Sequence, residues 1–349
     1  MRLSDEAPPS KQGKTAPTLV LSRCPCIACL SIDEVTPVRT QPLLPEPELR
    51  HTTARDGTPI AWHSYAPSAG RSEPAVILTN GLGTTANFWK DLVRGLAPDR
   101  TVVHWDYRGH GASGVSQTRD YSIATQADDL ARVTEATLAG LASLPSAGAG
   151  VVQVGFSMGV TVVLELYRRR PELVRAMVLI AGGADFPYAA SALFRVPGAR
   201  AVFRGGLAAI APVFPRLSPI LKRASRSPAI YSLGRLMGAV NEDAPRSELE
   251  HFFHAVGDMD GDAYWSSLRG LFGSHASDVL PLIQVPVLVV APGWDLMAPE
   301  ADLDLLRRRI PGVQWLQIPG TGHAVLLEAG QQVAAGVSRF LATLGGGRA

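Results

Sequence analysis

A serine lies between closely spaced glycines in the segment Gly155-Phe-Ser157-Met-Gly159. The segment follows an apolar run, Val151-Val-Gln-Val, and opens a stretch with helical character. A nucleophile on a sharp turn between a strand and a helix needs small residues two positions before and after it, because larger ones would collide. This placement, more than the five-residue string itself, predicts that Ser157 is a nucleophile for acyl transfer.

A serine nucleophile needs a base beside it at neutral pH, and the chain has eight histidines. His323 follows the last predicted strand on a glycine-containing loop, from which an imidazole can reach the ends of neighbouring strands. His104 and His110 flank another strand end, and His251 and His254 lie in a later helical stretch. Only His323 combines the loop with a position after every other strand, so we predict that it is the base.

The carboxylate that orients the base should follow a strand between the serine and the histidine. Asp295 follows the apolar run Val287-Leu-Val-Val-Ala and precedes a helix that begins near Pro299. Asp185, after the preceding strand, is the alternative. We predict Asp295, because its strand directly precedes the strand that leads to His323 and its carboxylate can accept the imidazole Nδ1–H.

An acyl-transfer site also needs hydrogen-bond donors for the negative oxygen that forms during the reaction. The backbone N–H of Met158, at the start of the helix after the serine, is one candidate. The other is a backbone N–H in Thr79-Asn-Gly-Leu-Gly-Thr84, where we favour Leu82. A plain glycine turn is the alternative interpretation of that segment.

These residues require a scaffold that brings several strand ends together. Apolar runs alternate with helical stretches, which is typical of a parallel sheet covered by helices on both faces. Asp56-Gly57 lies between two flanking strand-like segments and indicates a hairpin. We therefore predict a doubly wound, mostly parallel α/β fold. Its parallel strands are expected at 75–79, 101–105, 151–155, 175–181, 287–291 and 314–318.

The alternation is interrupted between about residues 184 and 275. We expect a core at 48–183 and 276–349, with a mostly helical cap insertion at 184–275. Residues 1–47 are rich in Pro, Ser, Thr and Lys, which predicts a disordered or loosely attached arm. Apolar residues of the insertion are candidates for an acyl pocket, although ordinary core packing is the alternative. They are Phe194, Phe203, Phe214, Tyr231 and Leu236.

The composition narrows the class of protein further. Of the 349 residues, 46% are hydrophobic and 18% charged, and the net charge of +2 gives no reason to expect nucleic acid or an acidic membrane as partner. The sequence contains no uninterrupted run of 18 apolar residues, so it predicts no membrane-spanning helix. Cys24, Cys26 and Cys29 have no fourth ligand at a zinc spacing, so we expect neither a metal site nor disulfides there. The N-terminal apolar stretch is too short for an export signal, and a cytoplasmic location is expected.

Five motifs, taken in order, resemble the α/β-hydrolase superfamily over about Leu49 to Leu344. The most similar members are cap-bearing esterases, lactonases, C–C hydrolases and cofactor-free perhydrolases. The resemblance implies that Ser157, Asp295 and His323 form a catalytic triad in that chain order. The motifs are Asn80-Gly-Leu-Gly, Asp106-Tyr-Arg-Gly-His-Gly-Ala-Ser, Gly155-Phe-Ser-Met-Gly159, Gly293-Trp-Asp-Leu-Met-Ala-Pro299 and Gly322-His323.

The same resemblance places Asp106 and Arg108 in a turn that supports the oxyanion loop. Two residues depart from the family pattern. Asn80 stands where many members have His, and Val160 stands where a second Gly is common. The first departure bears on the hydrogen bonds behind the oxyanion loop, and the second on helix packing.

We therefore expect a serine hydrolase that cleaves a carboxylic ester or lactone of a small to medium apolar substrate through an acyl-enzyme. No cofactor or metal is needed for this chemistry. C–C bond hydrolysis or perhydrolysis on the same triad is the alternative reaction, and a ligand-binding receptor of the same fold is the alternative class. Ser157, rather than Asp, argues against the haloalkane dehalogenases and epoxide hydrolases of the superfamily. No prediction of oligomeric state follows from the sequence.

Overall fold

The computed structural model describes residues 46–67, 74–142, 150–185, 214–227, 229–236 and 244–345, together with positions 198, 202, 205, 206 and 209. The arm predicted for residues 1–47 lies outside these residues except for its last two positions. The pocket candidates Phe194 and Phe203, and the side chains of Phe214 and Leu236, lie outside them as well. Tyr231 is described and is half-buried.

Eight strands form one sheet in the order β1-β2-β4-β3-β5-β6-β7-β8. The β1–β2 and β2–β4 pairs are antiparallel and every other pair is parallel, which confirms the predicted mostly parallel sheet. The strands are β1 (Glu48–Thr53), β2 (Pro59–Tyr65), β3 (Val76–Thr79), β4 (Val102–Trp105), β5 (Val151–Phe156), β6 (Val174–Ile180), β7 (Val287–Pro292) and β8 (Gln314–Ile318).

The sequence of each strand matches its position in the sheet. Every residue of β3, β4, β5 and β7 is buried, because helices cover both faces of these central strands. The edge strand β1 is mostly exposed. The predicted hairpin joins it to β2, with Gly57 at φ +85° and the Asp56 carboxylate accepting a hydrogen bond from the Thr58 N–H.

Helices follow most of the parallel strands, and 3-10 turns are described at Ala86–Trp89, Pro171–Leu173 and Leu280–Leu282. After β3, the 3-10 turn Ala86–Trp89 leads directly into a short α-helix, Lys90–Leu96. The described helices are α1 (Lys90–Leu96), α2 (Ile123–Gly140), α3 (Met158–Arg169), α4 (Phe214–Ser225), α5 (Ala229–Leu236), α6 (Arg246–Asp258), α7 (Gly261–Phe272), α8 (Glu300–Arg309), α9 (Val325–Glu328) and α10 (Gly330–Gly345).

Two apolar clusters lie on opposite faces of the sheet. One contains Leu130 of α2 and Leu164 of α3, and the other contains Leu92 of α1 and Phe340 of α10; all four side chains are fully buried. Burying one such side chain stabilises the fold by about 1.5–3 kcal/mol relative to exposure. The two clusters hold the central strands rigidly, so their carboxyl ends form a fixed edge.

The interval between β6 and β7 contains four described helices, α4 to α7. Where this interval leaves and rejoins the sheet, Asp185 and His275 form an isolated antiparallel bridge. The division of the chain into arm, core and cap remains a prediction. Within the described residues, none of the helices has the length and apolar character needed to cross a membrane.

Candidate active site

Ser157 lies at the turn between β5 and α3 with φ 53° and ψ −116°. Residues other than glycine rarely adopt a positive φ, and such strain is concentrated at functional sites. The Ser157 N–H donates to the Ile180 carbonyl at 2.9 Å, and the Ser157 carbonyl accepts from the Val160 N–H at 3.0 Å. These two bonds hold the strained turn at the carboxyl end of the sheet.

Glycines surround this turn because nothing larger fits. A methyl group on Gly155 would lie 2.5 Å from the carbonyl oxygen of Gly159, and one on Gly159 would lie 2.3 Å from that of Thr79. A methyl group on Gly182 would lie 2.5 Å from the Ser157 carbonyl oxygen. The steric reason that made the motif informative in the sequence is therefore present in the structure.

The side chains of Ser157, His323 and Asp295 form one hydrogen-bonded chain. The imidazole Nε2 of His323 lies 3.0 Å from Ser157 Oγ, and its Nδ1 lies 2.8 Å from Asp295 Oδ2. Both His323 and Asp295 are buried. In this arrangement Nδ1–H donates to the carboxylate, so Nε2 is free to accept the serine proton. The structure thus brings together the three residues selected from the sequence.

The second carboxylate oxygen of Asp295 is also held. Oδ1 accepts hydrogen bonds from the backbone N–H groups of Met297 and Ala298, at 2.8 and 2.9 Å. Both amides belong to the turn before α8. The backbone therefore fixes the carboxylate with Oδ2 directed at His323, and the charged form gains two further donors.

The loop that carries His323 is fastened on two sides. The N–H of Gly322 donates to Glu328 Oε2 at 2.5 Å, and the carbonyl of Thr321 accepts from the Trp294 N–H at 2.9 Å. The ring of Phe156 lies 5.4 Å from the imidazole, measured between centroids. These contacts limit the movement of His323 and join its loop to that of Asp295.

Asp185, the alternative carboxylate, has other partners. Asp185 Oδ1 accepts hydrogen bonds from the N–H groups of Ala276 and Ser277 at 2.9 and 3.0 Å, and it lies 3.0 Å from His275 Nδ1. These contacts fasten the two ends of the interval between β6 and β7. The structure therefore places Asp295, and not Asp185, against His323.

The other candidate histidines do not contact Ser157. His251 and His254 are exposed on α6. His104 and His110 are buried, and burial lowers the pKa of each to about 4, so both are neutral at neutral pH. His110 Nδ1 lies 3.0 Å from the Arg108 carbonyl, to which it donates.

The turn after β3 passes beside Ser157. A methyl group on Gly81 would lie 3.1 Å from Ser157 Cβ, and the turn is closed by hydrogen bonds from the Thr84 N–H and hydroxyl to the Gly81 carbonyl. Within the described residues, the backbone N–H groups of Leu82 and Met158 have no hydrogen-bond acceptor. Both amides selected from the sequence are thus available to donate, and their role as oxyanion donors remains a prediction.

Asn80, one of the two departures from the family pattern, supports this turn through its side chain and its carbonyl. Its Nδ2 donates to the Trp105 carbonyl at 3.2 Å and lies 3.0 Å from His104 Nε2. Its Oδ1 accepts from Trp89 Nε1 at 2.7 Å, and its backbone carbonyl accepts from the Tyr107 hydroxyl at 2.6 Å. Asn80 therefore makes a full set of buried hydrogen bonds behind the turn.

Arg108 joins three separate segments. Its Nε and Nη2 donate to the two oxygens of Asp129 at 2.7 and 2.8 Å, and its Nη1 donates to Asp56 Oδ2 at 2.9 Å. Burial raises the pKa of Asp56, but hydrogen bonds from Thr58 and the Arg108 charge outweigh it and hold that pKa well below its usual range. Arg108 thus fixes the loop after β4 against α2 and the β1–β2 hairpin.

Helix α6 lies over the turn that carries Leu82. Gly83 has φ +74°, and a methyl group there would lie 2.7 Å from Val256 Cγ2 and 3.4 Å from the Tyr264 ring. Phe252, one helical turn before Val256, contacts Phe88 edge-on with ring centroids 5.6 Å apart. Phe252, Val256 and Tyr264 were not predicted from the sequence as residues of the site. The i, i+4 spacing of Phe252 and Val256 was the available signal, but it does not identify the element that the helix covers.

Residues 74–330 match the family model described as alpha/beta hydrolase fold. A protein of Klebsiella pneumoniae (strain 342) named "Putative carbamate hydrolase RutD" is 28% identical over 262 residues, which cover 75% of this chain and 88% of the relative. A thermophilic esterase from Thermogutta terrifontis has a TM-score of 0.63 at 20% identity, covering 86% of this chain and 99% of its own. An enol-lactonase from Burkholderia xenovorans LB400 has a TM-score of 0.60 at 20% identity, covering 84% and 100%. At 20% identity, the likeness to these two solved structures shows the fold of this chain alone.

Proposed function

Because the chain belongs to the α/β-hydrolase fold family, we propose that it is a serine hydrolase with Ser157 as nucleophile, His323 as base and Asp295 as the orienting carboxylate. One observation carries the proposal: a continuous hydrogen-bonded chain runs from Asp295 through His323 to the Ser157 hydroxyl. The strained backbone of Ser157 supports it, because a structural serine gains nothing from a positive φ.

In the first half of the reaction, Ser157 Oγ attacks the carbonyl carbon of the substrate while its proton passes to His323 Nε2. The imidazolium that forms is stabilised by the Asp295 carboxylate at Nδ1–H. The carbonyl π electrons move onto oxygen, and the resulting oxyanion accepts hydrogen bonds from the Leu82 and Met158 N–H groups. The N-terminus of α3 adds its positive end to this site.

Collapse of the tetrahedral intermediate breaks the bond to the leaving group, which takes the proton from His323 Nε2. Ser157 then carries the acyl group as an ester. A water molecule gives a proton to the same Nε2, attacks the acyl carbon and releases the acid, and Ser157 recovers its proton. His323 Nε2 accepts or donates the proton in every transfer of this cycle.

We propose a carboxylic ester or lactone with a small to medium apolar acyl part as the substrate. Phe252, Val256 and Tyr264 support this class, because they lie over the turn beside the oxyanion donors. Apolar walls with a few fixed polar groups are typical of pockets for such molecules.

A carbamate is the second candidate, favoured by the name of the Klebsiella relative. Its carbonyl carbon is open to the same attack, and its nitrogen leaves as an amine once His323 Nε2 has protonated it. The triad therefore supports both reactions, and the walls of the pocket decide between them.

The test is hydrolysis of p-nitrophenyl esters from acetyl to dodecanoyl, γ- and δ-lactones and aryl carbamates by the wild-type protein and Ser157→Ala. We expect ester turnover with a preferred acyl length, reduced at least about 1,000-fold in Ser157→Ala. Ser232→Ala, an exposed serine on α5, is the control and should keep full activity. Turnover that survives in Ser157→Ala contradicts the proposal. So does a wild-type protein inactive on all these substrates but active on a diketone or in a peroxide assay, or one that only binds a ligand.

A further inference from the structure

Three potential metal ligands lie on one face of the sheet at the β2–β4 pair. His63 of β2 and His104 of β4 are direct partners in the antiparallel register. Asp106 follows His104 by two residues and so projects to the same side. The pairing, which sequence order alone does not suggest, creates a His–His–Asp cluster behind the turn at Asn80.

The ligand atoms of this cluster are close together. His63 Nε2 lies 3.7 Å from Asp106 Oδ2, and one ligand atom from each of the three residues lies within 4.8 Å of the others. His104 is 1% exposed, whereas the side chain of His63 is 26% exposed. The cluster therefore has a buried base and one side through which an ion can enter.

One ring nitrogen of the buried histidine lacks a partner. Asn80 contacts His104 Nε2, but His104 Nδ1 is buried with no hydrogen-bond partner in the described part of the chain. Leaving such a group unsatisfied destabilises the folded chain. Asp106 Oδ2 accepts one hydrogen bond, from the Ala112 N–H, and keeps lone-pair capacity for a further partner. A bound cation would satisfy both atoms.

We propose that His63, His104 and Asp106 bind one divalent transition-metal cation of the Zn²⁺ class, with water as the fourth ligand. Two imidazole nitrogens and a carboxylate oxygen suit Zn²⁺ and other divalent first-row transition metals, whereas Ca²⁺ and Mg²⁺ prefer oxygen ligands alone. This site is separate from Ser157 and does not rest on the proposed hydrolase function.

The separations between the ligand atoms are near those that a tetrahedral metal ion requires. Ligands at about 2.0–2.1 Å from a tetrahedral ion lie roughly 3.3 Å from one another. The 3.7 Å separation between His63 and Asp106 is close to this value, and the longest separation of up to 4.8 Å must shorten. Rotation of the partly exposed His63 side chain can shorten the separations between its ring nitrogen and the other two ligands without moving the buried β4.

The consequence is a cross-link between two strands that are distant in the chain. An ion held by His63 and by His104 fastens β2 to β4, and Asn80 connects His104 to the turn beside Ser157. A cation that binds only the folded chain also raises its stability in proportion to the logarithm of the free ion concentration over Kd. Zn²⁺ should therefore raise the Tm of the protein.

The test uses the full-length chain with Cys24→Ser, Cys26→Ser and Cys29→Ser, because those thiols are alternative zinc ligands. The metal-stripped protein is titrated with Zn²⁺ alone by calorimetry, and with Co²⁺ to record the visible absorption of a tetrahedral ion. We expect one ion per chain and a higher Tm. His63→Ala should raise Kd on the order of 100-fold or more, while His63→Cys, which provides another ligand, should restore much of the affinity.

His51→Ala is the matched control, because His51 is an exposed histidine on the neighbouring strand β1. It should leave the Zn²⁺ affinity unchanged. Binding that is equally tight in His63→Ala, or no stoichiometric binding by the parent chain, overturns the proposal. In that case His63 and Asp106 form no more than an ion pair.

Discussion

Asn87 Nδ2 donates a hydrogen bond of 2.9 Å to Glu248 Oε2, joining the turn before α1 to the first turn of α6. The other carboxylate oxygen of Glu248 pairs with Lys90. Helix α6 is the element that contacts Gly83, the residue after the proposed oxyanion donor Leu82. Glu248 therefore ties this wall of the candidate site to Asn87 and Lys90, in addition to the packing of Phe252 against Phe88.

Replacing Glu248 with Ala should loosen α6 and weaken substrate binding. The lost charge-assisted hydrogen bonds are expected to raise KM about tenfold, with a smaller change in kcat, because the triad is fastened independently. Steady-state kinetics on the best ester gives both values. Glu250→Ala is the control, since Glu250 lies on the same helix but pairs with Arg246. Equal effects of the two substitutions on KM would show that the contacts of Glu248 with Asn87 and Lys90 do not affect substrate binding.

Enlarging Val256 should shorten the acyl chain that the site accepts. Val256→Trp adds an aromatic ring next to Gly83, so we expect the preferred p-nitrophenyl ester to become shorter by several carbons while acetyl ester turnover is largely retained. His254→Trp places the same ring on an exposed position of the helix and should leave the profile unchanged. An unchanged profile in Val256→Trp would place the acyl pocket elsewhere.

Asp295→Asn should lower kcat by about 1,000- to 10,000-fold. The amide can no longer hold the imidazole with Nδ1–H directed at a carboxylate or stabilise the imidazolium. Asp185→Asn, at the alternative carboxylate, should change kcat by less than about threefold, because Asp185 contacts residues 275–277 instead of His323. If the two variants lose activity equally, Asp295 is not the orienting carboxylate.

Stability should fall between pH 6.5 and pH 4 because of His110. Burial lowers the pKa of folded His110 to about 4, against 6.5 in the unfolded chain, so the unfolded state binds more protons in this window. The contribution of the neutral imidazole to the free energy of unfolding is complete above pH 6.5. It is lost as the pH falls through 4, which lowers the free energy of unfolding by up to about 3 kcal/mol. Urea unfolding across this range measures it.

His110→Asn keeps a side-chain N–H for the Arg108 carbonyl and removes the titration. The free energy of unfolding of this variant should therefore depend less on pH between 6.5 and 4 than that of the wild type. The carboxylates are the same in both proteins, including Asp129, whose pKa burial raises, so the difference between the two pH profiles reports His110. Parallel pH profiles for the two proteins would contradict the assignment.

The sheet and the strand-end residues were predictable because their signals are local. Apolar runs long enough for one strand precede Ser157, Asp295 and His323, and parallel strands bring their carboxyl ends to the same edge. The strained backbone of Ser157 is likewise encoded nearby, in Gly155 and Gly159. Such features need no knowledge of distant contacts.

The remaining features depend on contacts between distant segments. His63 meets His104 only because β2 pairs with β4 while β3 lies beyond β4 in the sheet. The network of Asn80 similarly requires Trp89 and Tyr107 to converge from two further segments. The helices between β6 and β7 are short and amphipathic, and their periodicity marks a buried face without identifying what it meets.

The bridge between Asp185 and His275 has an evolutionary consequence. It brings the start and the end of a long interval side by side, so whatever folds between them enters and leaves the sheet through one narrow stem. Segments inserted at such closely spaced ends can be exchanged without moving the surrounding core. New substrate ranges could thus arise by grafting a different loop of chain onto the stem, while the strands that hold Ser157 and Asp295 are inherited intact.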